Sequence, residues 1–288
     1  HAYHAGVLKA LAHVLAWDPR DAELVLGTSA GAQVGALLRA GMSADDLAAR
    51  AAGDPLSPEG AAIARHYTRP PHDPPALDRS FAYRPASPKY LLTGLTRPWA
   101  ARPACLVSAL LPRGRVCLMS QAEALRRLFG DEWPSARLWI TAVCLDSGEV
   151  FAFGREDAPR VDVGTAVACS GAVPAICAPV QVGGRAFVDG GIASATNLAL
   201  LERERSDLVI VSSPLSMIPP MRLFLWSEVR RLRARGQRVI VLEPTGRAAA
   251  AMGLNPMDLA RSTAVVRTTY ETMLRVLEER RREFAELF

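Results

Sequence analysis

"AELVLGTSAGAQVGALLRAG", residues 22–41, is the stretch whose reading decides the fold. The apolar run ending at Leu26 reads as a short buried strand. Gly27-Thr28-Ser29-Ala30-Gly31 follows as a tight turn, and "AGAQVGALLRAG" reads as a helix that stops at Gly41. Strand, glycine turn and helix in that order are the context that gives a G-x-S-x-G pattern chemical meaning. The glycines permit unusual dihedrals and close backbone approach. The serine hydroxyl is then thrust out at a helix N-terminus, where free amides and the dipole favour negative charge. Ser29 is the candidate nucleophile, and the Ala30 N–H is a candidate oxyanion donor. The bland alternative is a glycine turn in which Ser29 only caps a helix.

Two rival readings of the turn fail on residue type. A phosphate-cradling loop would end in G-K-[ST], and no lysine lies nearby. A dinucleotide fingerprint needs G-x-G-x-x-G, a spacing absent here.

The rest of the chain alternates in the same way. "YHAGVLKALAHVL" (3–15) reads as a helix, and "SADDLAAR" as another capped by Ser43. "SQAEALRRLFG" carries Ser120 and Glu123 at capping-box spacing. "RLWITAVCLDSGEVFAFG" reads as a hairpin turning at 146–148, and "VDVGTAVACSG" as a helix. "PVQVGGRAFVDGG" reads as two short strands about Gly183–Gly184, ending at Asp189. "DLVIVSSP" and "RVIVLEP" read as strands flanking the helix "MRLFLWSEVRRLRARG". A long last helix is expected over 255–288, capped by Asn255 with Pro256 in its first turn. Apolar strands alternating with amphipathic helices predict a layered α/β domain with a largely parallel central sheet. One domain is expected over 1–288. Residues 53–118, rich in proline and arginine, are expected as an irregular insertion with short helices, a lid or a plain surface loop.

Composition sets the limits. The chain has 288 residues, half of them hydrophobic and 22% charged, which is globular rather than disordered. No apolar run is long enough to span a bilayer. Net charge is +5, and only Lys9 and Lys89 among the 34 basic residues are lysines. Arginine clusters at 228–238 and 275–284 read as solvated helix faces, or as a surface attracted to an anionic membrane. Nothing resembles a nucleic-acid-reading motif. Cys105, Cys117, Cys144, Cys169 and Cys177 form no CxxC pair and have apolar neighbours. They are expected as buried core thiols of a reduced, cytoplasmic protein. No acidic loop has calcium-ligand spacing, and no metal or cofactor is expected.

A nucleophilic serine needs a base. The histidines are His1, His4, His13, His66 and His72, and none lies later in the chain. The order serine, acid, histidine used by α/β-hydrolases is therefore excluded. A carboxylate remains. Asp189, followed by Gly190 and Gly191, ends a predicted strand at the same expected sheet edge as Ser29. An aspartate in a glycine turn is often only a turn former. Placed beside Ser29 it could take the proton in concert with attack, provided the oxyanion is well held.

At these residues the sequence resembles the patatin-like phospholipases. "AYHAGVLKAL" (2–11) resembles the segment just after that family's glycine-rich loop. "GTSAG" resembles its nucleophile elbow, and "AVACSGAVPAICAPVQVGGRAFVDGG" (166–191) the segment leading to its D-G-G/A motif. The resemblance covers 2–212 with gaps, least over 53–118. It implies lipid acyl-ester hydrolysis by a serine–aspartate dyad without a metal, with Ser29 as nucleophile, Asp189 as base and a lipid or acyl ester as substrate. The family's G-G-G-x-R-G loop should precede "AYHAG", where this sequence has only His1. If that loop is absent from the protein, the loss of oxyanion amides costs about 10²–10³ in rate. Two alternatives stay open: a catalytically silent lipid-binding protein of the same fold, and an acyltransferase.

Overall fold

A computed structural model describes residues 1–66, 85–96, 103–253 and 258–281. In chain order the helices are α1 (Ala2–Leu15), α2 (Ala30–Arg39), α3 (Ala44–Ala52), α4 (Pro58–His66), α5 (Pro88–Thr96), α6 (Pro103–Leu110), α7 (Met119–Phe129), α8 (Val163–Ser170), α9 (Pro219–Ala234), α10 (Gly246–Met252) and α11 (Ser262–Glu279). The strands are β1 (Leu24–Thr28), β2 (Arg137–Cys144), β3 (Val150–Phe153), β4 (Val180–Val182), β5 (Arg185–Asp189), β6 (Leu208–Ser212) and β7 (Arg238–Leu242).

The chain forms two compact units. One holds Leu24–Ala36 and Ala64–Ala193; the other holds His1–Glu23, Leu37–Ile63 and the chain from Ser194 onward. In the first, β2 is the organising strand. It pairs in parallel with β1 and antiparallel with β3 and β5, and β5 pairs in turn with β4. β2 is buried along all but its first residue, as a strand covered on both faces must be. Helix α8 packs on β2 and β5, and α7 packs on α8. All eight residues of α8 are buried. Its start is fixed by Asp162, whose carboxylate accepts the Thr165 N–H at 2.8 Å.

In the second unit β6 and β7 pair in parallel. Helix α1 packs on α11 and α3. Tyr3, Val7 and Leu11 of α1 share a core with Ile240, Leu242, Val265, Met273 and Leu277. The Tyr3 hydroxyl donates to the Leu242 carbonyl at 3.0 Å, so the buried phenol is satisfied.

The α/β class holds, and the two longest strand pairings, β1–β2 and β6–β7, are the parallel ones. Ser43 caps α3 as expected, accepting the Asp46 N–H at 3.0 Å. Other local expectations need correction. Ser120 caps nothing: α7 already begins at Met119, and its first flanking residue, Leu118, makes no side-chain cap. The start is set by packing, because Ala122 and Leu125 are buried. Helix α11 starts at Ser262 after a 3-10 turn, Leu259–Arg261, capped by Asp258. The expected Asn255–Pro256 cap lies outside the described residues, and α10 was not anticipated. Cys117 is exposed, whereas the other four thiols are buried. Where described, 53–118 consists mainly of α4, α5 and α6. No helix among the described residues is long and apolar enough to cross a membrane.

Candidate active site

β1 ends at Thr28 and α2 begins at Ala30, so one residue, Ser29, makes the whole turn. It does so at φ +53°, in the left-handed region that non-glycine residues seldom occupy. Such a conformation persists only where its surroundings fix it. Here the Ser29 N–H donates to the Ser170 hydroxyl at 2.8 Å, and the Ser29 carbonyl accepts the Ala32 N–H at 3.0 Å. Gly27 is required by crowding. A Cβ there would lie 2.5 Å from Ala32 Cα and 2.7 Å from Ala32 N, forcing α2 away from the strand. The N–H groups of Ala30 and Gly31 open α2, outside its internal hydrogen-bond ladder and at the positive end of its dipole. Ser29, Ala30 and Gly31 are all half-buried.

Asp189 reaches the same place by a route that sequence reasoning did not foresee. The expectation was a shared carboxyl edge of parallel strands. β5 instead runs antiparallel to β2, and the two ends converge on the middle of β2. Thr28, the last residue of β1, pairs with Thr141; Asp189, the last residue of β5, pairs with the next residue, Ala142. The Thr28 and Thr141 hydroxyls are 2.8 Å apart. After Asp189 the chain passes so close to β2 that a Cβ on Gly190 would sit 2.4 Å from Thr141 Oγ1 and 2.8 Å from its carbonyl oxygen.

The Asp189 side chain is buried, with the residue 6% exposed. Its Oδ1 accepts the Gly191 N–H at 2.7 Å, and its carboxylate also accepts a hydrogen bond from the Ser29 hydroxyl. Burial, the largest effect, raises its pKa above the ordinary carboxylate value; the two hydrogen bonds pull it back only in part. The backbone is held as well, since Asp189 N–H donates to the Ala172 carbonyl at 3.0 Å. A half-buried hydroxyl, a buried carboxylate of raised basicity and two helix-terminal amides are therefore assembled around one elbow. Chemically, that set can deprotonate an alcohol and stabilise an oxyanion.

Ser170 and Thr141 were not singled out from sequence. Ser170 closes α8 and is fully buried, a placement its sequence position does not reveal. The histidines are engaged elsewhere. His4 Nδ1 lies 2.9 Å from Ser212 Oγ, and burial drives its pKa down to about 3. His13 bonds the Tyr270 hydroxyl at 2.7 Å. His66 is exposed, and His72 lies outside the described residues. Among the described residues no histidine hydrogen-bonds Ser29, and no group of three or more histidines, cysteines or acids could hold a metal. A cavity of about 760 Å³ lies in the other unit, lined by Lys9, Arg20, Asp45, Arg267 and Tyr270 among others. It contains neither Ser29 nor Asp189, and Lys9 and Arg267 there are paired with Asp45 and Asp54.

Residues 1–201 match the family model described as Patatin-like phospholipase. No curated protein matches the chain.

Proposed function

The chain belongs to the patatin-like phospholipase family, a family of lipid acyl hydrolases, and from that premise we propose that it cleaves carboxylic esters of lipids through a Ser29–Asp189 dyad. Asp189 takes the hydroxyl proton as Ser29 Oγ attacks the acyl carbonyl. The carbonyl oxygen gains negative charge facing the N-terminus of α2, where the Ala30 N–H is the nearest donor of the elbow. Collapse of the tetrahedral species expels the alcohol, which leaves with the proton held by Asp189, and an acyl-Ser29 ester remains. Water then attacks that ester as Asp189 accepts its proton. The acid leaves, and the proton returns to Ser29.

The observation that carries this reading is the pairing of a serine at positive φ with a buried carboxylate of raised pKa. A residue that served only as a helix cap would not need a left-handed backbone. A carboxylate that served only to form a turn would not need burial. Raised basicity is also what a carboxylate must have to compete for an alcohol proton without a histidine. Ser29→Ala and Asp189→Asn, assayed on a soluble acyl ester, should each lower kcat by about 10³-fold or more while the fold persists. Turnover at the wild-type rate in either variant overturns the assignment.

A further inference from the structure

We propose that the α5–α6 pair is the surface by which the protein docks on an anionic lipid membrane. The two helices pack on each other, and together they expose an apolar face. Leu92 and Leu95 on α5 are 60% and 82% exposed; Val107 and Leu110 on α6 are 61% and 56% exposed. Each pair has i, i+3 spacing, so each helix turns one side outward. The opposite sides are firmly anchored. Tyr90, Cys105 and Ala109 pack with Val143, Leu145 and Val188 in the core of the same unit. An exposed apolar face on an anchored helix pair is not explained by folding, and patches of this kind mark interaction surfaces.

Charge identifies the occupant. Over 85–96 and 103–122 the chain carries Lys89, Arg113 and Arg115 and no acidic residue. Arg113 and Arg115, just beyond α6, are both exposed. Apolar side chains with these basic residues beside them match the interfacial region of an anionic bilayer, with acyl tails below and negative headgroups above. The arginine-rich α9 is a poorer candidate. Its Arg222 pairs with Glu243, and its Arg231 pairs with Glu202, as does the neighbouring Arg235.

The surface also adjoins the elbow. Helix α6 packs against the 3-10 turn Gly190–Ile192 that follows Asp189, and Ile192 and Ala193 pack on the cluster that anchors the pair. On the acyl-hydrolase reading, on which the purpose of docking rests, the surface brings the elbow to the bilayer that holds its substrate.

The test is co-sedimentation of the full-length protein with vesicles of phosphatidylcholine alone or with about a third phosphatidylglycerol. Wild-type protein should bind the anionic vesicles and bind the neutral ones at least about tenfold more weakly. Leu95→Ser with Leu110→Ser, and separately Arg113→Gln with Arg115→Gln, should each weaken binding about tenfold. Both variants should keep wild-type turnover of a soluble ester. Amide hydrogen exchange of the unmodified protein should slow over 88–110 when anionic vesicles are added. Ser29→Ala should bind as wild type does, which separates docking from catalysis. Three results overturn the proposal: no binding of wild type, equal binding to neutral vesicles, or undiminished binding of the leucine variant. A dimer in solution that the leucine variant dissolves would assign the face to a second copy of the chain instead.

Discussion

The Ser170 hydroxyl accepts the backbone N–H of Ser29 at 2.8 Å, from a residue that is wholly buried. The bond fixes the residue whose positive φ aims the candidate nucleophile. It also occupies the Ser29 N–H, leaving the amides of Ala30 and Gly31 as the elbow's free donors. On the proposed dyad, Ser170 is a positioning residue. Ser170→Ala should lower kcat by about 10- to 100-fold with KM little changed, and should cost about 1–3 kcal/mol of stability for the unsatisfied buried N–H. Steady-state kinetics and urea unfolding check both. A loss confined to KM would contradict the positioning role.

The pH profile follows from the direction of the Asp189 shift. On the proposed dyad, Asp189 acts as base only when ionised, and its pKa is raised by burial. The acid limb of kcat/KM should therefore lie above the ordinary carboxylate range, with activity falling as pH drops through the raised value. No limb should belong to a histidine. Chemical modification of histidines should leave turnover of a soluble ester intact.

Stability should show the opposite sign. A carboxyl whose folded pKa is raised favours folding below its unfolded pKa, and that contribution is lost as pH rises through the folded value. At neutral pH, ionised Asp189 is therefore a burden on the fold. Asp189→Asn, whose amide oxygen can still accept the Gly191 N–H, should melt higher than wild type near pH 8. The gap should close as pH falls toward the ordinary carboxylate range. Thermal unfolding at several pH values measures it.

Gly27→Ala should be severe for a steric reason. The added Cβ would meet backbone atoms of Ala32 and the Gly31 carbonyl oxygen at 2.5–2.7 Å, with no flexible side chain to yield. We expect a loss of about 2 kcal/mol or more in urea unfolding, together with loss of ester turnover as the elbow shifts.

Glu228 is nearly fully buried and accepts hydrogen bonds from the Ser194 hydroxyl at 2.8 Å and the Thr196 hydroxyl at 2.7 Å. Glu228→Gln keeps the shape but places an amide donor where acceptors are needed. Stability should fall by about 1–3 kcal/mol. Activity per folded molecule should be unchanged, because the hydrogen bonds of Glu228 go to Ser194, Thr196 and Ala199.

Local patterns were the legible part. The strand–turn–helix of 22–41, the Asp146–Gly148 hairpin, the Ser43 cap and strands β6 and β7 could be read because short-range periodicity and turn residues determine them. The pairing of β5 on β2 could not, since no local feature of "RAFVD" encodes which distant strand it meets or in which direction. Asp189 was found by eliminating histidines, yet its proximity to Ser29 depends on that long-range antiparallel register. Ser170 was missed because a serine ending a short helix looks like a fray. The Ser120–Glu123 spacing misled because burial of Ala122 and Leu125 set the start of α7.

The most direct test of the central claim is covalent. Folded full-length protein would be treated with a fluorophosphonate and the adduct located by mass spectrometry, with Ser29→Ala and Asp189→Asn in parallel. An activated serine predicts a single adduct on Ser29, absent in the first variant and formed far more slowly in the second. No adduct on folded protein, or an adduct on another serine that Ser29→Ala leaves untouched, would contradict the dyad.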